Sequence, residues 1–318
     1  MSKNKKQIII MSIIAIAFLT LYVVWGLTAK NYRFNLSLRI PKVLGILIAG
    51  GTISVASILF QTITNNRIIT PSVIGLDSLY SLVQTVVVFV FGSTSIFMVN
   101  KTINFLMSGT LMVLLSMILF KVVLKKGENN IFFLLLVGTV VGTLFRSMSS
   151  FMQVLIDPNE FDALQTKLYA SFSLVNTKII LVSILILIII AFVLFRSFNN
   201  LDVMSLGREQ AINLGVNYDK FSKKILIIVA ILVSLSTALV GPITFLGILV
   251  VNLTYEITKT YKHSVLLIVG TLISIIALVG GQFLVERVFV FNTTISIIIN
   301  FIGGIYFINL LLRESKLW

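Results

Sequence analysis

From Ile179 to Phe195 the chain is apolar without a charge, broken only by Ser183 and bounded by Lys178 and Arg196. The run does not alternate polar with apolar, so it cannot be a strand with one wet face. A helix of about 20 such residues crosses the hydrocarbon core of a bilayer. Nine further segments have the same character. The ten candidate spans are 8–28, 42–62, 72–91, 103–124, 131–155, 178–197, 224–240, 243–258, 264–285 and 295–312. They leave only short connections, so no soluble domain fits between them, and a membrane β-barrel would need alternating segments that are not present. Composition points the same way: 58% of the 318 residues are hydrophobic and 11% are charged. A globule of this size in water cannot hide that much apolar surface. The expected fold class is all-α: a polytopic integral membrane protein of about ten transmembrane helices, forming one domain over residues 1–318.

The amino terminus carries Lys3, Lys5 and Lys6 and then runs apolar from Ile8 to Leu27. This is too long for the apolar stretch of a signal peptide, and Leu27-Thr28-Ala29 is a poor cleavage site. The segment is expected to be a retained first span. With the amino terminus inside and ten crossings, sixteen Lys and Arg side chains fall inside: Lys3, Lys5, Lys6, Arg67, Lys121, Lys125, Lys126, Arg196, Arg208, Lys220, Lys223, Lys224, Lys259, Lys262, Arg313 and Lys316. Eight fall outside: Lys30, Arg33, Arg39, Lys42, Lys101, Lys167, Lys178 and Arg287. The bias toward the inside supports this orientation, with both termini cytoplasmic. It also accounts for a net charge of +14 that would suggest nucleic acid in a soluble chain. Prolines 41, 71, 158 and 242 should each mark a helix end or a break.

Several chemistries are excluded. The chain has no cysteine and one histidine, His263, which removes disulfides, thiolate sites and histidine-rich metal centres. No G-x-x-x-x-G-K-S/T occurs, so nucleotide phosphates cannot be cradled by a P-loop here. No H-E-x-x-H, paired intramembrane carboxylates or Ser-His pair suggests an intramembrane enzyme. An ion-coupled secondary transporter would want intramembrane acids and half-to-half symmetry, and only Asp77 and Arg146 approach the membrane interior.

The longest cytoplasmic connection, residues 198–223, is the most informative. Asp202 can cap a helix that breaks at Gly207, a second helix can run from Arg208 to Leu214, and Gly215 fits a carboxyl-terminal cap. Ala211 and Leu214, three apart, are expected to share one face. A capped helical pair on the membrane surface suits docking of a cytoplasmic partner; the bland alternative is a solvated linker.

Gly207-Arg208-Glu209-Gln210-Ala211-Ile212-Asn213-Leu214-Gly215 resembles the G-x-x-x-A-x-x-L-G coupling segment of the iron-chelate and cobalamin permeases, the membrane subunits of type II ABC importers. Three more segments match in order. Arg39-Ile40-Pro41-Lys42 resembles R-x-P-R/K at the outer end of the second span. Asn66 to Gly75 resembles N-P-L-A-x-P-x-x-L-G, with Arg67 where the family has proline. Gly241-Pro242-Ile243-Thr244-Phe245-Leu246-Gly247 resembles G-P-I-x-F-x-G, although Val251-Asn252 replaces a frequent Pro-His. Asn292-Thr293-Thr294 stands where many members have Glu-Leu-Pro, as in the subgroup that imports iron on catecholate siderophores.

The resemblance implies the type II ABC importer permease fold and a division of labour. The chain would pair with a sister permease or a second copy in the bacterial cytoplasmic membrane. Two cytoplasmic ATPase subunits would dock on helices at about 202–215, through Gly207, Arg208, Glu209, Ala211, Leu214 and Gly215. An external substrate-binding lipoprotein would deliver a ferric siderophore, with cobalamin or heme as alternative cargo. No metal, cofactor or catalytic residue is expected on this chain, since ATP is bound by the partners, and no nucleic acid is expected either. In the resembling family, basic residues placed like Arg39, Lys42 and Arg287 pair with acids on the binding protein; ordinary interfacial snorkelling is the competing reading. The fifth span lines the translocation path in that family. Arg146, with Ser149 and Gln153 nearby, is therefore expected to face the path and attract an anionic chelate, against snorkelling toward the outer interface. Asp77 is expected to cap the third span or pair with a base, and His263 to be a solvated loop residue. Gly50-Gly51, Gly280-Gly281 and Gly303-Gly304 are expected to allow close helix packing.

Overall fold

The computed structural model describes residues 3–28, 30–126, 131–173 and 175–314, with side chains described except at 3, 122–126, 131–132, 134–135, 311 and 313–314. Ala29 of the rejected cleavage site and the inside charge Lys316 thus lie outside the described residues, as do the side chains of Lys3, Lys125, Lys126 and Arg313. Fourteen helices and no strand are present among the described residues. Ten follow the expected spans: α1 Lys3–Val24, α2 Tyr32–Thr64, α3 Leu76–Phe91, α5 Lys101–Lys126, α6 Ile131–Leu155, α8 Thr177–Phe195, α11 Tyr218–Val240, α12 Leu246–Thr258, α13 His263–Arg287 and α14 Ile295–Glu314. Four are short: α4 Ile96–Val99, α7 Pro158–Leu168, α9 Phe198–Met204 and α10 Arg208–Asn213.

α2 is the axis of the bundle. Its face is buried nearly continuously from Gly45 to Thr64, against α11, α13 and α12. At one end Leu59, Phe60 and Ile63 join Leu201, Met204, Ala211 and Tyr218 in one apolar cluster. Toward the other end Ile46 and Ala49 pack with Phe172, Leu246, Leu278 and Ile295. At 33 residues α2 is about 50 Å long, more than the membrane requires. It starts ten residues before the expected span, and Pro41 lies inside it rather than at a break. Pro158 opens α7 and Pro242 follows the end of α11, as expected.

α12 departs in the other direction. Its 13 residues reach only about 20 Å. The non-helical Gly241–Phe245 segment precedes it, and such backbone at membrane depth is tolerated where protein covers it. Ile243 is 3% exposed, and the amide of Ser171 donates to the Val240 carbonyl at 2.8 Å. Gly241 has φ +97°, and a Cβ there would sit 2.9 Å from Ala170 Cα, so both conformation and space demand glycine.

α6 leans on α3 through glycine. Gly138 and Gly142, four apart, face Ile74 and Gly75; a Cβ on Gly142 would lie 2.8 Å from Gly75 Cα. This small-xxx-small contact was not among the expected glycine pairs. In each of those pairs one member is close-packed: Gly50 on Ser274, Gly281 on Ile295 and Gly303 on Phe245. Gly304 meets nothing within 4 Å.

Candidate functional site

The expected docking segment forms a surface helix pair, α9 and α10, at one end of the bundle. Gly207 links them at φ +99°. α10 closes in a Schellman arrangement: the Gly215 amide donates to the Ile212 carbonyl at 2.9 Å, and the Val216 amide to the Ala211 carbonyl at 3.0 Å. Gly215, at φ +85°, supplies the left-handed turn anticipated for it. The expected common face of Ala211 and Leu214 is corrected: Ala211 is fully buried, whereas Leu214 is 62% exposed. α10 ends at Asn213, with Leu214 as its cap. Leu206, Ile212 and Leu214 thus form an exposed apolar group beside the exposed Glu209. Arg208 turns sideways to Asp219 at 3.7 Å.

Asp202 does not cap its own helix, which it enters near the end. Its Oδ1 accepts from the backbone amide of His263 at 2.8 Å and faces the ring Nδ1 at 2.7 Å, so it caps α13. The imidazole Nε2 lies 2.7 Å from the Thr62 hydroxyl on the last turn of α2. His263 is therefore corrected from a solvated loop residue to one with no exposed surface. The carboxylate fixes the ring proton on Nδ1. Hydroxyl, imidazole and carboxylate stand in a row that joins three helices; the ring is fully buried, and Thr62 is 4% exposed. The Tyr218 hydroxyl adds a fourth element, donating to the Ile63 carbonyl of α2 at 2.9 Å.

Beside this network two adjoining cavities of about 470 and 340 Å³ open around Arg67, Tyr255 and Lys259. Asn252, where the resembling motif often has histidine, donates through Nδ2 to the Arg67 carbonyl at 3.2 Å.

At the opposite end the three expected docking cations part company. Arg39 is 7% exposed, and its Nη1 donates to the carbonyls of Val23 at 2.6 Å, Trp25 at 2.8 Å and Tyr22 at 3.3 Å. It caps α1, whose last carbonyls have no helical partner. Lys42 is paired with Glu286 at 2.7 Å, and the same carboxylate oxygen accepts from Tyr22 and Gln282, each at 2.9 Å. Arg287 alone is exposed, touching the Trp25 carbonyl at 3.5 Å. Glu286 is the residue that sequence reading missed; the adjacent Glu-Arg pair closing a span was its only signal. On α7, Asp157 caps the helix, while burial and the charge of Lys101 hold the Lys167 ammonium below the usual lysine range.

Of the expected path residues, Ser149 and Gln153 are engaged within the bundle. The Ser149 hydroxyl and the Gln153 amide both meet the Thr85 hydroxyl, at 3.3 and 3.1 Å, and tie α6 to α3. Spacings of four, three and four from Gly142 put Arg146 on the same side as Ser149 and Gln153. Arg146 is exposed, and its charge acts on Asp77 in the first turn of α3.

Residues 5–313 match the model of the FecCD transport family. The chain is 54% identical over 316 residues, 99% of its length and 100% of the relative's, to the petrobactin import system permease protein YclO of Bacillus subtilis (strain 168). It is 39% identical to the petrobactin import system permease protein FatC of Bacillus anthracis, covering 88% of this chain and 79% of the relative. Its fold matches a solved structure described as an inward-facing metal-chelate type ABC transporter. The TM-score is 0.82 at 20% sequence identity, over 98% of this chain and 100% of that one.

Proposed function

Since the chain belongs to the FecCD transport family, we propose that it is the membrane permease subunit of an ABC importer that carries a ferric siderophore, of the catecholate class, across the bacterial cytoplasmic membrane. It works as one permease domain with both termini inside, beside a second permease subunit. Two ATPase subunits bind and hydrolyse ATP, and an external lipoprotein delivers the chelate; this chain holds no cofactor of its own. The observation that carries the reading is the α9–α10 pair. It presents Leu206, Ile212 and Leu214 outward on and around α10, which closes in the Gly215 turn, next to a buried tie into α2 and α13. An exposed apolar group on a rigid surface element is a protein-docking feature. Closure of the docked ATPases then pulls α9, and the Asp202–His263–Thr62 row passes the displacement to two spans.

At the outer end Arg287 is the docking cation of choice, because Arg39 and Lys42 already hold partners within the chain. α6 borders the path, with Arg146 drawing the anionic chelate inward past the α3 contact. The test is uptake of labelled ferric catecholate in a strain lacking this permease, complemented with the wild type or with Leu214→Asp. The wild type should restore uptake and Leu214→Asp should abolish both uptake and chelate-stimulated ATP hydrolysis. Uptake that follows a proton or sodium gradient, with no ATPase activity in the purified complex, would sink the reading.

A further inference from the structure

We infer that the vestibule around Arg67 is an exit site for an anionic, aromatic ferric chelate, with Arg67 and Lys259 as its cation pair; this rests on the siderophore-import reading above. The two cavities share Arg67, Tyr255 and Lys259, and their volumes, about 470 and 340 Å³, lie in the range of about 300–1,000 Å³ that holds small-molecule ligands. Among the described residues the larger cavity has only these two charged residues in its lining; the acid Glu256 borders the smaller one.

The backbone holds the cations in place. α2 and α12 each end on a left-handed residue, Asn65 at φ +46° and Lys259 at φ +49°. The carbonyl of Arg67 accepts from Gln61 Nε2 at 2.6 Å and from Asn252 Nδ2 at 3.2 Å, so the chain beneath the guanidinium is gripped from both helices. The guanidinium itself lies over the Tyr255 ring, 4.8 Å from its centre. Among the described residues neither Arg67 nor Lys259 enters an ion pair.

A ferric catecholate carries negative charge on its phenolate oxygens and presents flat aromatic rings. A guanidinium recognises both, by charge-assisted donation and by stacking. The amide of Asn66 borders the same space, and its Nδ2 suits a phenolate oxygen. A site for a departing ligand must attract without trapping, and two cations at an open mouth do that better than an enclosed cage. Arg67 stands where the resembling motif has proline, so the site belongs to this chain's own sequence.

The test uses the purified complex of this chain with its permease and ATPase partners in nanodiscs, without the binding protein. Equilibrium binding of the radiolabelled ferric complex of dihydroxybenzoate is measured. Arg67→Ala should bind about tenfold more weakly, the loss of one charge-assisted contact. Lys259→Ala should bind about threefold more weakly, as for an exposed ammonium that makes no bidentate or stacked contact. Arg67→Lys should retain most of the affinity, and the differences should shrink as salt screens the charges. Unchanged binding in Arg67→Ala, with import intact, overturns the site alone. So does an equal fall in ATP hydrolysis and binding in that variant, which would make the vestibule part of the ATPase contact. A wild-type complex that imports no ferric chelate overturns the import reading and the site together.

Discussion

α2 and α6 are both apolar helices of the same bundle, but they are held by different physics. α2 is buried along most of its length, and two distant helices, α13 and α11, tie into its last turn through Thr62 and Ile63. α6 rests mainly on α3, with some contact to α5. Its opposite face shows Val140, Leu144, Met148, Phe151 and Val154 outward, spaced by four and three residues. One helix is a frame; the other is a wall whose attachment is a pair of glycines and two hydrogen bonds to Thr85. A transporter that alternates access needs both, since packed cores switch between arrangements and do not deform continuously.

The sharpest way to break this comparison is at Gly142. A Cβ there meets backbone, 2.8 Å from Gly75 Cα, and Gly75 is itself at φ +93° and cannot easily give way. Gly142→Val should cost about 3 kcal/mol or more, the upper range for overpacking, read as a lower melting temperature of the purified complex and loss of transport. Gly280→Val is the control: the nearest atom to its Cβ is Phe18 Cε1 at 3.6 Å, so it should melt close to the wild type. If the two variants melt alike, α6 is not attached by glycine packing.

The frame end yields the second test. His263→Ala empties a fully buried site and leaves the Asp202 carboxylate without its ring partner. Asp202 keeps 26% of its side chain exposed, so the cost should be moderate, about 2 kcal/mol. The transport phenotype should be larger than the stability change: ATP hydrolysis persists while chelate uptake per ATP falls severalfold. Equal losses of both would mean that the row only stabilises the fold.

How far these features could be read from sequence follows from their physical range. Hydropathy reports the membrane's thickness, so it located ten helices, six of them long and apolar enough to cross a bilayer among the described residues, but it missed the first ten residues of α2. Tyr32 to Pro41 form helix outside the apolar stretch, and their charges hid it. The Gly207 and Gly215 turns were legible because a positive φ selects glycine locally. His263 was not, because its burial depends on Asp202, 61 residues away, and on Thr62, 201 residues away. Its flanks, Lys259, Tyr261 and Lys262, are those of a solvated loop. Glu286 escaped for the same reason: its partner Lys42 is 244 residues distant. Arg39 lies on a recognisable motif, yet a motif does not say whether a cation faces a partner or its own chain.

That last distinction separates Arg39 from Arg287 and is the finest test. Arg39 donates to three carbonyls at the end of α1 and is buried, so Arg39→Gln should cost about 1–2 kcal/mol through the lost cap and show in thermal stability. Arg287 is exposed with one long contact, so Arg287→Gln should leave stability within about 0.5 kcal/mol. Its effect should appear instead in the rate at which the binding protein associates with reconstituted permease, a slowing of severalfold at low salt that vanishes at high salt. Stability and association rate thus read the two residues independently. If Arg39→Gln slows association without lowering the melting temperature, the guanidinium works outward despite its burial, and the partition of outer cations into one docking residue and two internal ties is wrong.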